Sequence, residues 1–193
     1  MTDARTTPDV DIAARIDGAR RAVEALHAQQ ATLDAIGRAV VDALAAGGTI
    51  YTCGNGGSSA QALHLAEELI GRYRADRPAR RAICLNADVT ALTCIANDYG
   101  YDAVFARQCE ALLTERDVLV VFTTSGRSPN VLRAMEIART RGATTIGLLG
   151  RDGGPAKALS DLALVAAGDE SAFIQDAHQV VLHLICEYVE TMP

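Results

Sequence analysis

The sequence predicts an α/β protein, an open parallel sheet of about five strands flanked by helices, with an N-terminal helical hairpin. Three observations point there. Five short apolar runs, at residues 49–53, 82–85, 118–122, 145–149 and 162–166, are hydrophobic continuously rather than in alternation, as strands buried on both faces are. Stretches of helical composition alternate with those runs, and strand–helix alternation builds parallel sheets covered by helices. Residues 9–46, ahead of the first run, carry a helical period instead.

Taken in order, Ile12, Ile16, Ala19, Val23 and Leu26 recur at spacings of four and three, and Leu33, Ile36, Val40 and Leu44 repeat the pattern. Two helices joined near residues 27–30 account for it. The stripe on the first is either an ordinary core face or a surface for another subunit. Beyond Gly47-Gly48 the five strand runs and their intervening helices follow, closing with the helical segment FIQDAHQVVLHLICEYVE at residues 173–190. The expectation is a single domain over 1–193, with helices for oligomer packing in 1–46 and the α/β core in 47–193.

Composition sets outer bounds. The 193 residues can bury a substantial core, 49% of them are apolar, and no apolar run approaches the 18 residues of a membrane span. With 24 acidic against 18 basic residues the formal net charge is −6, and no Lys/Arg cluster exceeds a pair, which argues against a surface for nucleic acid. Five cysteines stand far apart without a C-x-x-C pair, and the first residues lack the apolar run of a signal peptide, so a cytoplasmic location is expected. Four of the five lie in apolar stretches, where burial is expected, and Cys53 alone borders a candidate site.

Ligands of open α/β sheets collect beyond the carboxyl ends of the strands, so the loops after Cys53 and Phe122 are read for chemistry. The first, GNGGSS at residues 54–59, lets backbone N–H groups approach an anion and leads into a helix N-terminus. A purely structural strand-to-helix turn would look the same. Its spacing fits neither a dinucleotide fingerprint nor a P-loop, and no G-x-S-x-G is present. The second, TTSGRSPN at residues 123–130, offers hydroxyls at Thr123, Thr124, Ser125 and Ser128, with Ser128 and Pro129 set to start a helix. Capping explains Ser128 but does not require three more hydroxyls, which favours phosphate binding.

His64 and Glu68 are four apart on the helix after the first loop, a spacing that suits two ligands of one metal ion and equally a solvated surface pair. His178 and His183 lie amid apolar residues of the last helix, where buried imidazoles need partners. Gln175 and His183, eight residues apart, are separated by about 12 Å along an ideal helix, a long reach for a shared ion. His27 is expected to face water.

Taken together, CGNGGSSAQALHLAEELIGRYRADRP, LTCIANDYGYDAVFARQ, TTSGRSPNVLRA and FIQDAHQVVLH resemble, in this order, the phosphoheptose isomerases of the sugar isomerase (SIS) superfamily. The resemblance implies a SIS-type fold and an aldose–ketose isomerase that converts sedoheptulose 7-phosphate to glycero-manno-heptose 7-phosphate, the first step of nucleotide-activated heptose biosynthesis. It further implies a homotetramer with active sites between subunits and one zinc ion per site. Carried over by position, the metal ligands are His64, Glu68, Gln175 and His183. The substrate positions are Asn55, Gly56, Gly57, Ser58, Glu68, Asn97, Asp98, Thr123, Thr124, Ser125, Ser128 and Gln175. Glu68 and His183 are the implied base and acid. Gln61 stands where most relatives have an aspartate, Phe173 where they have a charged residue, and Thr123 where serine is usual. A rival of another class, the replication-initiator-associating proteins, keeps the fold as a binding module but lacks the glutamate and second histidine retained here as Glu68 and His183. Regulatory SIS modules are usually fused to a helix-turn-helix domain, for which 193 residues leave no room.

Overall fold

A computed structural model describes residues 10–193. The N-terminal region comprises α1 (Ile12–Glu24) and α2 (Gln30–Ala45), joined through a 3-10 turn at Ala25–Gln29, where the sequence places the junction. Asp11 caps α1 by accepting a hydrogen bond from the Ala14 N–H at 2.9 Å. The expected hairpin needs correction in one respect. Both helices pack on the C-terminal helix α8 (Ser171–Glu190) rather than on each other, forming an arm bent over α8.

The sheet is parallel throughout, with β1 (Ile50–Gly54), β2 (Ala82–Cys84), β3 (Val118–Thr123), β4 (Thr144–Gly150) and β5 (Leu162–Ala166) in the order β2-β1-β3-β4-β5. β1 and β3 are buried along their whole length, which is why their sequences read as unbroken apolar runs. From β1 the chain goes outward to β2 and then crosses back to β3. Strand order therefore reverses between β1 and β3, whose ends are in register at Gly54 and Phe122. The loops after these two strands open on one crevice.

Each face of the sheet carries its own apolar core. On one face α2, α3 (Gly57–Ile70) and α8 bury Ile36, Val40, Leu65, Leu69, Val181 and Ile185 against Ile50, Val120 and Ile146. On the other, α5 (Ala106–Leu112), α6 (Pro129–Thr140) and α7 (Gly154–Leu159) enclose Leu119, Val121, Val131 and Met135. The intervening α4 (Val89–Tyr99) has no buried residue. Four cysteines, Cys53, Cys84, Cys109 and Cys186, are buried and free. Cys94 departs from the expectation of burial because it lies on exposed α4. Among the described residues no helix is long and apolar enough to cross a membrane.

The apolar stripe of α1 divides. Leu26, just beyond the helix, is 5% exposed, whereas Ile12 and Ile16 are 67% and 62% exposed. The face of α1 turned to the protein is instead built on Gly18 and Ala22. Among the described residues of one chain, the outer half of that stripe is left exposed.

Candidate active site

The loops after β1 and β3 line a common cleft of about 240 Å³ with the first turn of α8. Asn55, Ser58, Thr123, Thr124, Ser125 and Ser128, expected from the sequence, share its walls with Gln175 and Ser171. Neither helix that starts at this cleft is capped by a side chain. Gly56 precedes α3 with φ +57°, and Ser128 stands at the N-cap of α6 with its hydroxyl unspent on the helix. The capping expected of Ser128 is therefore not made by its side chain.

Among the described residues no lysine or arginine lines the cleft. Arg127 turns away to pair with Asp152. A phosphate held here would meet hydroxyls, amides and two helix N-termini rather than a cation. The walls are themselves braced. Asn55 and Asn130 exchange carboxamide hydrogen bonds at 2.9 Å in both directions, and the Tyr101 hydroxyl donates to Asn55 Oδ1 at 2.9 Å. Thr123 Oγ1 accepts from the Gly126 N–H, and the Thr124 and Ser171 hydroxyls lie 3.1 Å apart. Asn130 and Tyr101 lie inside segments that carry the resemblance but are given no role by it, Ser171 lies outside them, and the fold brings all three here.

About two turns further along α3 and α8 lies a second cluster. Among the described residues, His64, Glu68 and His183 form a group whose ligand atoms all lie within 4.8 Å of one another. His64 Nε2 is 3.2 Å from Glu68 Oε1, and the two imidazoles meet edge to face with centroids 5.3 Å apart. Tyr73 stacks on His183 at 5.6 Å. Glu68 is the more enclosed carboxylate, its side chain 16% exposed against 68% for Glu67. Two imidazoles and a carboxylate are a donor set that suits zinc.

Gln175 sits apart from this trio, lining the loop cleft with its carboxamide against Gly57. A Cβ on Gly57 would lie 2.7 Å from Gln175 Nε2, so only glycine lets that side chain in. The residue touching the histidines is Gln179, whose Nε2 lies 2.9 Å from His64 Nδ1 and 3.2 Å from His183 Nε2. The helical rise separates Gln175 from His183 along α8, and Gln179 stands between them.

Asn97 and Asp98 are not brought into the cleft of their own chain. They lie near the end of α4, the Asn97 amide donating to Asp98 Oδ1 at 2.7 Å, and Asp98 lines a separate groove between α4 and α5. His27 is exposed, as expected. His178 is fully buried and bonded at 2.9 Å to the Leu149 carbonyl, its Nδ1 without a partner.

Comparisons with known proteins identify the family and the fold. The SIS domain family matches residues 16–150. The phosphoheptose isomerase of Helicobacter pylori (strain HPAG1) is 52% identical over 143 residues, 74% of each chain, and that of Geobacter sulfurreducens is 43% identical over 181 residues, 93% of this chain and 96% of its own. The solved structure of the phosphoheptose isomerase from Neisseria gonorrhoeae superposes with a TM-score of 0.88 at 35% identity, covering 94% of this chain and 97% of that one. The chain belongs to the phosphoheptose isomerase family of SIS-domain proteins.

The departures from the usual pattern of phosphoheptose isomerases have local explanations. Gln61 is buried and donates through Nε2 to the Gln175 carbonyl at 2.7 Å, tying α3 to the start of α8. An ionised aspartate could not make that donation. Phe173 lays its ring on Gly18 of α1, with the Arg15 guanidinium 4.8 Å from the ring centroid. Thr123 spends its hydroxyl on the Gly126 N–H, as a serine also could.

Proposed function

We propose that this protein interconverts D-sedoheptulose 7-phosphate and D-glycero-D-manno-heptose 7-phosphate, acting in the cytoplasm as a homotetramer that holds zinc in each active site. The observation that carries the reading is the convergence of Glu68 and His183, distant in sequence, two to three turns along α3 and α8 from a hydroxyl-lined cleft.

Aldose–ketose isomerisation removes a proton from the carbon beside a carbonyl, passes through an enediol and returns a proton to the neighbouring carbon. Asn55, Gly56, Gly57, Ser58, Thr123, Thr124, Ser125 and Ser128 hold the phosphate and fix the sugar's register, so the reacting end falls toward the later turns of the two helices. Glu68, enclosed beside His64, moves the carbon proton. His183, backed by Tyr73, exchanges the oxygen proton. Gln175 faces the substrate between these regions. His64, Glu68 and His183, with Gln175, would hold zinc, which when bound supplies a Lewis acid for charge building on the substrate oxygens.

The tetramer is supported by what one chain leaves uncovered. Ile12 and Ile16 on α1, and Val89 and Tyr99 on α4, are each more than half exposed. Asn97 and Asp98, outside the cleft of their own chain, fit a site completed from a second subunit.

The test is incubation of the purified protein with sedoheptulose 7-phosphate and with shorter and longer ketose phosphates, reading aldose phosphate formed. Turnover highest with the heptulose is expected. Binding of the heptulose without turnover would replace the enzyme by a binding module, and preference for a shorter ketose would replace the substrate.

A further inference from the structure

Asn130 shapes the cleft without lining it. It is the second residue of α6, 1% exposed, and its carboxamide faces that of Asn55, which does line the cleft. The two exchange hydrogen bonds at 2.9 Å, Asn55 Nδ2 donating to Asn130 Oδ1 and Asn130 Nδ2 to Asn55 Oδ1. Asn130 Oδ1 also accepts the Val131 N–H at 3.0 Å, which that N–H shares with the Ser128 carbonyl at 3.1 Å.

That backbone contact fixes the polarity of everything joined to it. A backbone N–H can only donate, so the atom of Asn130 that meets Val131 is the oxygen and the other is the nitrogen. Asn55 must answer with its oxygen toward that nitrogen and its nitrogen toward that oxygen. Turning one carboxamide alone would set N–H against N–H and oxygen against oxygen, and turning both would set an N–H against that of Val131. The Tyr101 hydroxyl, 2.9 Å from Asn55 Oδ1, is then the donor of its bond. Two donors occupy Asn55 Oδ1. Asn55 Nδ2 spends one of its two hydrogens on Asn130, and among the described residues the second has no acceptor. What Asn55 offers a ligand is therefore an N–H, which suits an anion.

We propose that Asn130 is a positioning residue for the substrate phosphate, locking Asn55 so that the second N–H of its carboxamide is delivered to a phosphate oxygen. This rests on the reading of the cleft as a phosphate site. One phosphate loop, through its last residue, thus sets the orientation of a donor carried by the other. Leucine at position 130 keeps the size and the helix but releases Asn55, while the Val131 N–H retains the Ser128 carbonyl. Aspartate keeps both acceptances and loses the donation to Asn55 Oδ1, so oxygen faces oxygen.

The test measures, by calorimetry on the whole protein, binding of a heptitol 7-phosphate, which has the phosphate but no carbonyl to react. Parent, Asn55→Ala, Asn130→Leu and Asn130→Asp are compared, with each Asn130 variant also made in the N55A background and thermal melting run on all. A hydrogen bond to a charged group corresponds to about 10–100-fold in affinity, and N55A is expected to lose that much. N130L should lose most of the same factor, yet add nothing to N55A, because it acts only through Asn55. N130D brings a charge that repels phosphate in both backgrounds, so its signature is a loss about tenfold larger with Asn55 present than with alanine there. A loop that was merely loosened would weaken binding equally in either background. Variants within twofold of the parent, or losses of equal size with and without Asn55, would overturn the lock while leaving the phosphate site intact. A parent that binds the heptitol phosphate no better than the phosphate-free heptitol would overturn the phosphate site itself, and the lock with it.

Discussion

Two residues show how single atoms set the site. Gly57 is required by the approach of Gln175 and not by its own backbone angles, because a Cβ would lie 2.7–3.1 Å from three atoms of that carboxamide, the mobile end of a side chain. Gly57→Ala should therefore fold normally and displace Gln175. Misplacement of a positioning group by about 1 Å can cost around 10²-fold, so kcat should fall by up to that factor with unfolding temperature little changed. Steady-state kinetics beside thermal melting checks both halves. His178 has the opposite character, since it serves the fold and not the chemistry. Burial lowers its pKa to about 4, against the smaller opposing effect of its bond to the Leu149 carbonyl. In the unfolded chain the imidazole titrates near its ordinary 6.5, so between about pH 6.5 and 4 the unfolded state binds more protons. Stability falls as pH falls through that window, by roughly 3 kcal/mol in total from this group. In His178→Leu the Leu149 carbonyl loses its donor, at a cost of about 1–3 kcal/mol at pH 7, but the slope with pH should be shallower than in the parent. Denaturant unfolding at pH 7, 6, 5 and 4.5 compares the two, and parallel slopes would contradict the assignment.

At the scale of elements, α8 is the post on which the site is built, and its neighbours meet it through glycines. Gly18 admits the Phe173 ring and Gly37 admits that of Tyr188, each ring within 2.3–2.7 Å of where a Cβ would stand. Gly18→Ala should destabilise by about 1–3 kcal/mol through overpacking, and combining it with Phe173→Leu should recover part of the loss. Additive effects in that double-mutant cycle would deny the contact. The far ends of α3 and α8 are joined by Arg77, whose buried guanidinium donates to the Glu68 and Leu69 carbonyls and pairs with Glu190 at 3.2 Å. Arg77→Ala should loosen the end of the helix that carries Glu68, lowering the melting temperature and kcat together while KM changes less. These joints explain what the sequence made legible. Strand runs, the two loops and the His64/Glu68 pair could be read because each is local, set by period or by spacing. Gln179, Asn130, Tyr101 and Arg77 could not, because their partners come from elements far along the chain and no spacing announces them. The arm formed by α1 and α2 was half legible. Its period showed two helices, but the choice of α8 over each other as partner depends on Gly18 and Gly37, which an apolar count does not see.

For the whole molecule, the unresolved tension of the sequence lay in the α1 stripe, which could have been core or contact. Ile12 and Ile16 face outward, α4 buries nothing, and Asp98 on α4 stands away from the cleft where the family places substrate. If subunits supply one another's sites, defects in different parts of one site must complement in mixed assemblies. Glu68→Gln and Asp98→Ala should then each damage every site of their own assembly. Unfolded together and refolded as a mixture, they give some sites with Glu68 from one subunit and Asp98 from another, both intact. Activity of the refolded mixture should therefore exceed that of either variant refolded alone, and should disappear when Ile12→Glu and Ile16→Glu are added to keep the chains apart. Sedimentation velocity follows the assembly in each sample. Were the site confined to one chain, every site in the mixture would carry one lesion or the other, and mixing would restore nothing.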